Sequence, residues 1–244
     1  MRKLAIVFSV FALLLGVAGC NKDGGNGSSK KVPQGAVDLG IVITREDGST
    51  YKLYWAESNL NFLTGLCTNP EDYGDYYAWG ETKPKENYSW SNYKWCDYGD
   101  EDKINKYYPS EYKFYWGDPG DGKSVLDKDD DAAHVKLGGR WRMPTAAEWD
   151  KLREVCLWKW SDKNGVWGYT VMSPNGNEIF LPAAGCMDHT YLDFESIRGY
   201  YWSSNNTMDK FSTAAYDLYF ANTKNHSVST VGRQYGCSIR PVSE

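Results

Sequence analysis

The chain has 244 residues, a formal net charge of −5 and 16% aromatic residues, among them 11 Trp and 19 Tyr. This length suffices for one sizeable domain or two small ones. The acidic charge excludes the basic face that nucleic-acid-binding proteins need, so no nucleic-acid partner is expected. Most of the rings should pack in the core, although exposed Trp and Tyr can also stack against ligands such as sugars.

Residues 1–19 have the composition of a secretory signal peptide. Arg2 and Lys3 precede an apolar run from Leu4 to Leu15, which is shorter than the roughly 20 residues of a membrane-spanning helix. The sequence Val-Ala-Gly-Cys that follows resembles a bacterial lipobox. That resemblance implies cleavage before Cys20 and lipidation of this cysteine, and an ordinary signal peptide is the alternative.

The segment after the signal peptide predicts a tethered envelope protein. Residues 20–35 are rich in Gly, Ser and Lys, which predicts a flexible tether behind the lipid. No later segment has the composition of a linker, so residues 36–244 are expected to form one domain. The lipid on Cys20 would attach the protein to the outer membrane, facing the periplasm or the cell surface.

The domain is predicted to open with a β-hairpin and to continue into long loops. Apolar residues alternate over Ala36–Thr44, and Tyr51–Ala56 is the returning strand after a turn. From Asn69 to Asp100, and again from Asp118 to Asp131, Gly and acidic residues predominate and predict loops. The first of these loops is also rich in aromatic rings, which should hold it in place.

The second loop ends in four carboxylates: Asp127, Asp129, Asp130 and Asp131. Such a cluster can supply the hard oxygen ligands of Ca²⁺, and a structural calcium ion is the one cofactor that the sequence suggests. The spacing does not match an EF-hand, because the sixth position lacks Gly and the twelfth lacks Glu. The structural alternative is that Asp130 and Asp131 cap the following segment or pair with Arg140 or Arg142.

The most informative local pattern is Gly138–Trp149, with the sequence GGRWRMPTAAEW. Thr145 and Glu148 have the spacing of a capping box, which predicts a helix from about Ala146 to Cys156. Both Trp residues are expected to anchor the core. Six residues are therefore interpreted as a structural motif: Trp141, Arg142, Pro144, Thr145, Glu148 and Trp149.

Beyond this helix the sequence predicts short strands separated by turns. Pro-Asn-Gly-Asn at residues 174–177 is a hairpin signal between the first two. The predicted strands are Gly168–Met172, Glu178–Pro182, Gly199–Ser203, Ala215–Ala221 and a final pair within Ser227–Val242.

Seven segments, taken together and in order, resemble the Fibrobacter succinogenes major paralogous domain of Bacteroidetes-type lipoproteins. They are AVDLG (36–40), WAESN (55–59), PEDYGDYYAWGET (70–82), DDAAHVKLGGRWRMPTAAEW (130–149), NGNEIFLPAAG (175–185), RGYYWSS (198–204) and YGCSIRPV (235–242). The resemblance implies a C-type-lectin-like α+β fold, distantly related to the formylglycine-generating enzymes. Small, mostly antiparallel sheets, one or two helices and long aromatic-rich loops are expected, and loops on such a scaffold often serve recognition.

The chain departs from the family pattern at the opening hairpin, around Arg45–Tyr51, and at two cysteines. Cys186 and Cys237 stand where other residue types are expected, which suggests a disulfide between them; two buried free thiols are the alternative. Cys96 with Cys156 is a weaker second pair that would leave Cys67 unpaired.

Catalysis is not predicted. The related oxidases hold copper with two closely spaced cysteines near the carboxyl end, whereas only Cys237 lies between Tyr200 and Glu244. The three histidines show no metal-binding spacing, and no GxSxG motif occurs. An oxidase-like enzyme is the second hypothesis, and a structural or assembly component of the cell surface is the third.

The first hypothesis is non-catalytic recognition or adhesion of an extracellular or periplasmic protein or glycan. The EPN or QPD and WND signatures of calcium-dependent sugar binding are absent, and plain solvated loops are the alternative to a binding face. Two polar segments late in the chain supply the candidate ligand residues: Ser204, Asn205, Asn206, Asp209, Lys210, Asn225 and His226.

Overall fold

A computed structural model of the protein describes residues 31–114, 116–223 and 225–244. The signal peptide, Cys20 and the tether as far as residue 30 lie outside these residues. Val32–Glu244 forms one compact unit. Within the described residues, no helix is both long and apolar enough to cross a lipid bilayer.

The described chain contains thirteen strands and two α-helices, with single 3-10 turns at Trp90–Asn92 and Lys128–Asp130. The first part holds β1 (Ala36–Thr44), β2 (Thr50–Ala56), β3 (Leu60–Asn61), β4 (Gly65–Leu66), α1 (Ala132–Leu137) and α2 (Ala146–Val155). The second part holds β5 (Leu157–Lys163), β6 (Val166–Met172), β7 (Glu178–Pro182), β8 (Cys186–Asp188), β9 (Tyr191–Asp193), β10 (Arg198–Asn206), β11 (Ala214–Ala221), β12 (His226–Gly232) and β13 (Val242–Ser243).

The strands pair in small antiparallel sheets. Three sheets have three strands each, in the orders β1-β2-β13, β5-β6-β7 and β10-β11-β12, while β3-β4 and β8-β9 are two-stranded. Together with the two helices, these sheets confirm the predicted α+β class. The predicted opening hairpin is present, and β1 and β7 have the predicted bounds.

The predicted capping box starts α2. The backbone N–H of Glu148 donates to Thr145 Oγ1 at 3.2 Å, and the N–H of Thr145 donates to Glu148 Oε2 at 2.7 Å. Two of the backbone donors at the helix start are thereby satisfied. The helix ends before Cys156, whose extended backbone leads directly into β5.

Helix α2 packs against the three larger sheets around one hydrophobic core. Trp149 is fully buried, with its ring 4.6 Å from that of Trp55, and its Nε1 donates to the carbonyl of Trp202 at 3.2 Å. Side chains alternate along β10, so Tyr201 enters this core while Trp202 enters a second one behind the sheet. Trp149 thus has the anchoring role that the sequence predicts.

The long loops are held on the second core by a buried arginine. The guanidinium of Arg233 lies 4.7 Å from the ring centre of Trp79 and donates to the hydroxyl of Tyr93 and the carbonyls of Ser212 and Lys106. One side chain thereby joins four separate stretches of irregular chain. The loops are pinned by aromatic side chains, as the composition predicts.

Candidate ligand-binding site

Two adjoining cavities open on either side of Thr145. The first, here called the hairpin groove, has a volume of about 750 Å³ and lies between the β1–β2 turn, the start of α2 and the end of β10. The second, here called the motif cavity, has a volume of about 420 Å³ and lies between α1, residues 139–142 and the end of β10. Both volumes fall in the range of about 300–1,000 Å³ that is usual for small-molecule sites.

The hairpin groove is built on a capped helix start and a charged turn. Asn205 Oδ1 accepts a hydrogen bond from the N–H of Ala146 at 3.0 Å, which fixes the end of β10 to α2. Across the groove, the Arg45 guanidinium lies 4.1 Å above the Tyr51 ring and pairs with Glu244 at 2.6 Å. Residues of the β1–β2 turn, with Tyr51 at the start of β2, therefore form one wall of this groove.

A buried ion pair separates the two cavities. Arg142 donates to both carboxylate oxygens of Glu148, at 2.8 and 2.6 Å, and to Glu244 at 2.9 Å. Burial raises the pKa of Glu148, but the hydrogen bonds and charge of Arg142 outweigh it and bring the pKa below its usual value. Because every partner is satisfied, this network is rigid and supports the residues on both sides of it.

The motif cavity is shaped by two glycines and a histidine. Gly138 and Gly139 have φ of 66° and 58°, a left-handed conformation that turns the chain back after α1. His134 Nδ1 then lies 3.0 Å from the carbonyl of Trp141, so Nδ1 carries the proton and donates. Trp141 was expected in the core; instead it is only partly buried and lines this cavity, because the glycine turn directs it towards α1.

The four aspartates diverge instead of converging on one point. Asp130 accepts from Lys94, Lys106 and the Tyr107 hydroxyl, and these partners outweigh burial and lower its pKa. Within the described residues, no group of three or more His, Cys, Asp or Glu side chains is placed to share a metal ion. The arrangement favours the structural alternative, with lysines in place of the arginines considered from the sequence.

Asp131 and the two remaining acids have separate tasks. Asp131 is the N-cap of α1, accepting from the N–H of His134 at 3.0 Å, and it also accepts from the N–H of Met143 at 2.8 Å. Burial raises its pKa despite these two bonds. Asp127 pairs with Lys123 and Lys106, while Asp129 is exposed.

Three of the predicted ligand residues line the two cavities. Ser204 lines the motif cavity, and Asn205 and Asn206 line the hairpin groove. All three belong to β10, which extends beyond its predicted end at Ser203. Asn206 is largely buried and its amide donates to the carbonyl of Tyr107, so Asn205 is the more accessible of the two amides.

The other four predicted ligand residues do not join them. Asp209 accepts hydrogen bonds from the N–H groups of Phe211 and Ser212, which shapes its own loop, and Lys210 is exposed. Asn225 and His226 follow β11, whereas Asp209 and Lys210 precede it. Eight extended residues separate these ends by about 23 Å, so the seven residues cannot form one site.

His226 belongs to a separate aromatic cleft of about 350 Å³ on the β5–β6 sheet. Its ring stacks on Trp158 at 4.5 Å, and Trp160 and Tyr169 complete the cleft. Burial and the charge of Arg153 lower the pKa of His226, which keeps it neutral at pH 7. Its Nδ1 and the Nε1 of Trp158 are buried without a hydrogen-bond partner in the described chain.

Cys186 and Cys237 are free thiols in the structure, so the suggested disulfide is not formed in it. The two residues are nevertheless neighbours. Met187 and Gly236 exchange both backbone hydrogen bonds, which places Cys186 directly opposite Cys237 in the next, non-hydrogen-bonded register. Cys96 and Cys156 pack in different hydrophobic clusters, so the weaker pairing gains no support.

Asp217 is a buried carboxyl that the sequence did not single out. It lies in the middle of β11, 1% exposed, and neither of its oxygens has a hydrogen-bond partner in the described chain. Burial raises its pKa to about 7. Burial is also the main cause of the raised pKa of Cys186 and Cys237, to which the charge of Asp217 adds a smaller part. Its alternation with Leu218 and Phe220 made it look like an outward-facing polar residue, and only the second core behind the sheet reveals its burial.

Sequence reasoning also missed Lys128, Arg140 and Trp141 as cavity residues. It treated Gly138–Trp149 only as a scaffold, whereas this segment lines parts of both cavities. Arg140 and Arg142 stand on either side of Trp141 in the sequence, and this pattern could have indicated a cavity residue.

Comparisons of the chain with protein-family models, with curated proteins and with solved structures find no match. What the cavities can bind follows from the chemistry of their own residues.

Proposed function

We propose that the protein is a lipid-anchored recognition or adhesion protein of the cell envelope, which binds an extracellular or periplasmic protein or glycan without chemical conversion. The observation that supports this function is the pair of open cavities around Thr145, built on a rigid ion-pair network. Their walls offer hydroxyl, amide, charged and aromatic groups. These are the groups that recognise a polar ligand by hydrogen bonding and stacking.

The proposal includes a C-type-lectin-like fold and membership of the Fibrobacter succinogenes major paralogous domain family. The motif segment with its capping box, the small antiparallel sheets and the aromatic-pinned loops are all consistent with it. Recognition through loops on a rigid scaffold suits such a fold.

The proposed anchor is the lipid on Cys20, with residues 21–35 as its tether. Replacement of Cys20 by Ser should release the protein from the membrane fraction and abolish incorporation of a labelled fatty acid. Unchanged membrane association of Cys20→Ser would contradict the anchor while leaving the binding domain untouched.

The oxidase-like enzyme remains the second candidate because of one observation. Cys186 and Cys237 are opposite each other, and two neighbouring thiols are what a copper site of that type requires. However, their exposures are 5% and 0%, and burial raises the pKa of Cys186 to about 12. Buried thiols with raised pKa values are poor metal ligands, since the thiolate is the binding form. One equivalent of copper in the purified protein would favour the enzyme.

The recognition function is tested by a glycan array together with a pull-down of envelope proteins. Ala147 is exposed in the hairpin groove, and Ala147→Trp should fill it. Thr223→Trp, at an exposed position of the turn after β11 that lines neither cavity, is the matched control. If the hairpin groove contributes to binding, Ala147→Trp should weaken it by about tenfold or more, the loss of roughly 1.4 kcal/mol. Absence of any binding by the wild-type protein would contradict the recognition function. Equal binding by all three proteins would contradict the hairpin groove as its site.

A further inference from the structure

The motif cavity contains more positive charge than its acids neutralise. Its acidic residues are Asp131 and Glu244, and both are already engaged. Asp131 accepts from two backbone N–H groups, and Glu244 pairs with Arg142 and Arg45. Glu244 is therefore paired with cations, whereas Asp131 is held by hydrogen bonds and forms no ion pair in the described chain.

Lys128 and Arg140 also line this cavity, and both are exposed. Neither side chain forms a hydrogen bond or an ion pair with another residue of the described chain. Arg142 has its charge compensated by Glu148 and Glu244. The charged side chains of the lining are Lys128, Arg140 and Arg142 against Asp131 and Glu244, which leaves a formal excess of one positive charge, in a protein whose formal net charge is −5. A concave site with a net positive charge attracts ligands of negative charge.

Trp141 adds an aromatic side chain to the lining of the cavity that contains these cations. Its backbone is fixed at both polar groups, since its N–H donates to Gly138 at 3.1 Å and its carbonyl accepts from His134. The face of an indole ring is electron-rich and packs well against the weakly positive C–H groups of a sugar ring. The hydroxyl-bearing residues Thr145 and Ser204 add partners suited to sugar hydroxyls.

We propose that the motif cavity binds an acidic saccharide, with Arg140 and Lys128 on its carboxylate and Trp141 against its ring. This inference rests on the proposed recognition function and names the ligand class of one of its two cavities. Arginine offers a carboxylate two parallel hydrogen bonds, and lysine adds a point charge. A peptide rich in glutamate would satisfy the cations but not the tryptophan side chain, so the saccharide is the occupant that uses all three residues.

The test is calorimetric titration of the purified full-length chain with trigalacturonic acid. Neutral galactotriose and triglutamate are titrated in parallel. The expected order is trigalacturonic acid first, with galactotriose and triglutamate each weaker. Binding should also weaken as NaCl rises from about 0.02 M to about 0.3 M, because the Debye length shortens over that range.

Variants assign the binding to the cavity. Lys128→Gln and Arg140→Gln should each weaken trigalacturonic acid by about tenfold, the usual effect of losing a charge-assisted hydrogen bond. Lys83→Gln with Lys113→Gln removes the same charge from exposed positions outside the cavity and should change binding little. Trp141→Ala should weaken trigalacturonic acid but leave any triglutamate binding unchanged. Unchanged thermal unfolding of the Gln variants would show that they are folded, since both side chains are exposed.

Three results would overturn the proposal: no binding of trigalacturonic acid, equal binding by the Lys128→Gln/Arg140→Gln double variant, or triglutamate binding as tightly as the sugar. If the array or pull-down still gives a ligand in any of these cases, only the acidic-saccharide inference fails. If the wild-type protein binds nothing in any assay, the recognition function fails with it.

Discussion

Asp217 gives the protein a pH dependence that originates from one residue. Its carboxyl has a pKa of about 7 in the folded protein, against 3.8 for the unperturbed group. Between these values the folded state holds a proton that the unfolded state has lost. The free energy of unfolding therefore falls as pH rises from about 4 to about 7, and the deficit persists above that range.

Asp217→Asn should remove this fall in the free energy of unfolding at higher pH. At pH 8 the variant is expected to be more stable than the wild type by up to roughly 4 kcal/mol, the equivalent of about three pKa units. At pH 4 the two proteins should differ little, because the carboxyl is then largely neutral. Urea unfolding at both pH values measures the difference, with Asp129→Asn at an exposed position as the control. A variant less stable than the wild type at pH 8 would show that Asp217 has a partner when ionised.

Glu148 contrasts with Asp217, because the buried charge of Glu148 is fully paired. Glu148→Gln should destabilise the protein by about 3–5 kcal/mol, since Arg142 is left without its main counter-charge. Glu154→Gln is the matched control: Glu154 is 66% exposed and pairs with Lys151 at 3.4 Å, so its loss should cost no more than about 1 kcal/mol. Chemical denaturation compares the two variants. Equal effects would mean that the Arg142–Glu148 pair does not support the wall between the cavities.

At the scale of elements, the strand register that places Cys186 opposite Cys237 predicts that the two thiols can form a disulfide. Strand neighbours in the non-hydrogen-bonded register have Cα atoms about 4.5 Å apart, within the range that a disulfide spans. Cys186 and Cys237 meet this condition, and a bond closing a loop of this length would contribute on the order of 4 kcal/mol.

The proposed export through an oxidising compartment predicts that the protein, unfolded without reductant, has three reactive thiols among Cys67, Cys96, Cys156, Cys186 and Cys237. Reductant should expose all five of these thiols. A variant with both Cys186→Ser and Cys237→Ser should give three in either condition. Five reactive thiols without reductant would rule out the disulfide and leave two buried free thiols.

Local patterns predicted the elements that carry local signals. Strand β1 has apolar residues at every second position from Val37 to Ile43, β7 follows a Pro-Asn-Gly-Asn turn, and α2 begins at a capping box, so these elements were found close to their true bounds. Strand β5 was missed because it follows α2 with no turn residue between them. Helix α1 was missed because six residues are too few for a helical period to show.

The candidate site was only partly predictable for a different reason. Ser204 and Asn205 were expected from their polar segment, but they meet Lys128, Arg140 and Trp141 only through tertiary packing. Residues 225–226 were expected to belong to the same binding face as Ser204 and Asn205, but they lie at the other end of β11. Convergence of distant segments depends on strand register and crossing, which a single sequence does not display.

At the scale of the whole molecule, the charge distribution sets the binding face. An overall acidic protein with one locally cationic cavity should select a ligand by that cavity and repel acidic ligands elsewhere. The aromatic cleft around Trp158 offers stacking residues and a single lysine, Lys159, but no arginine, which makes it the natural internal comparison.

The most direct test is hydrogen–deuterium exchange of the full-length chain with and without trigalacturonic acid. We predict slower exchange in peptides covering residues 125–147 and 203–206, which contain residues that line the two cavities, and no change over residues 157–171, which contain most residues of the aromatic cleft. Protection confined to the aromatic cleft, or no protection anywhere at saturating ligand, would contradict the assignment of recognition to the cavities around Thr145.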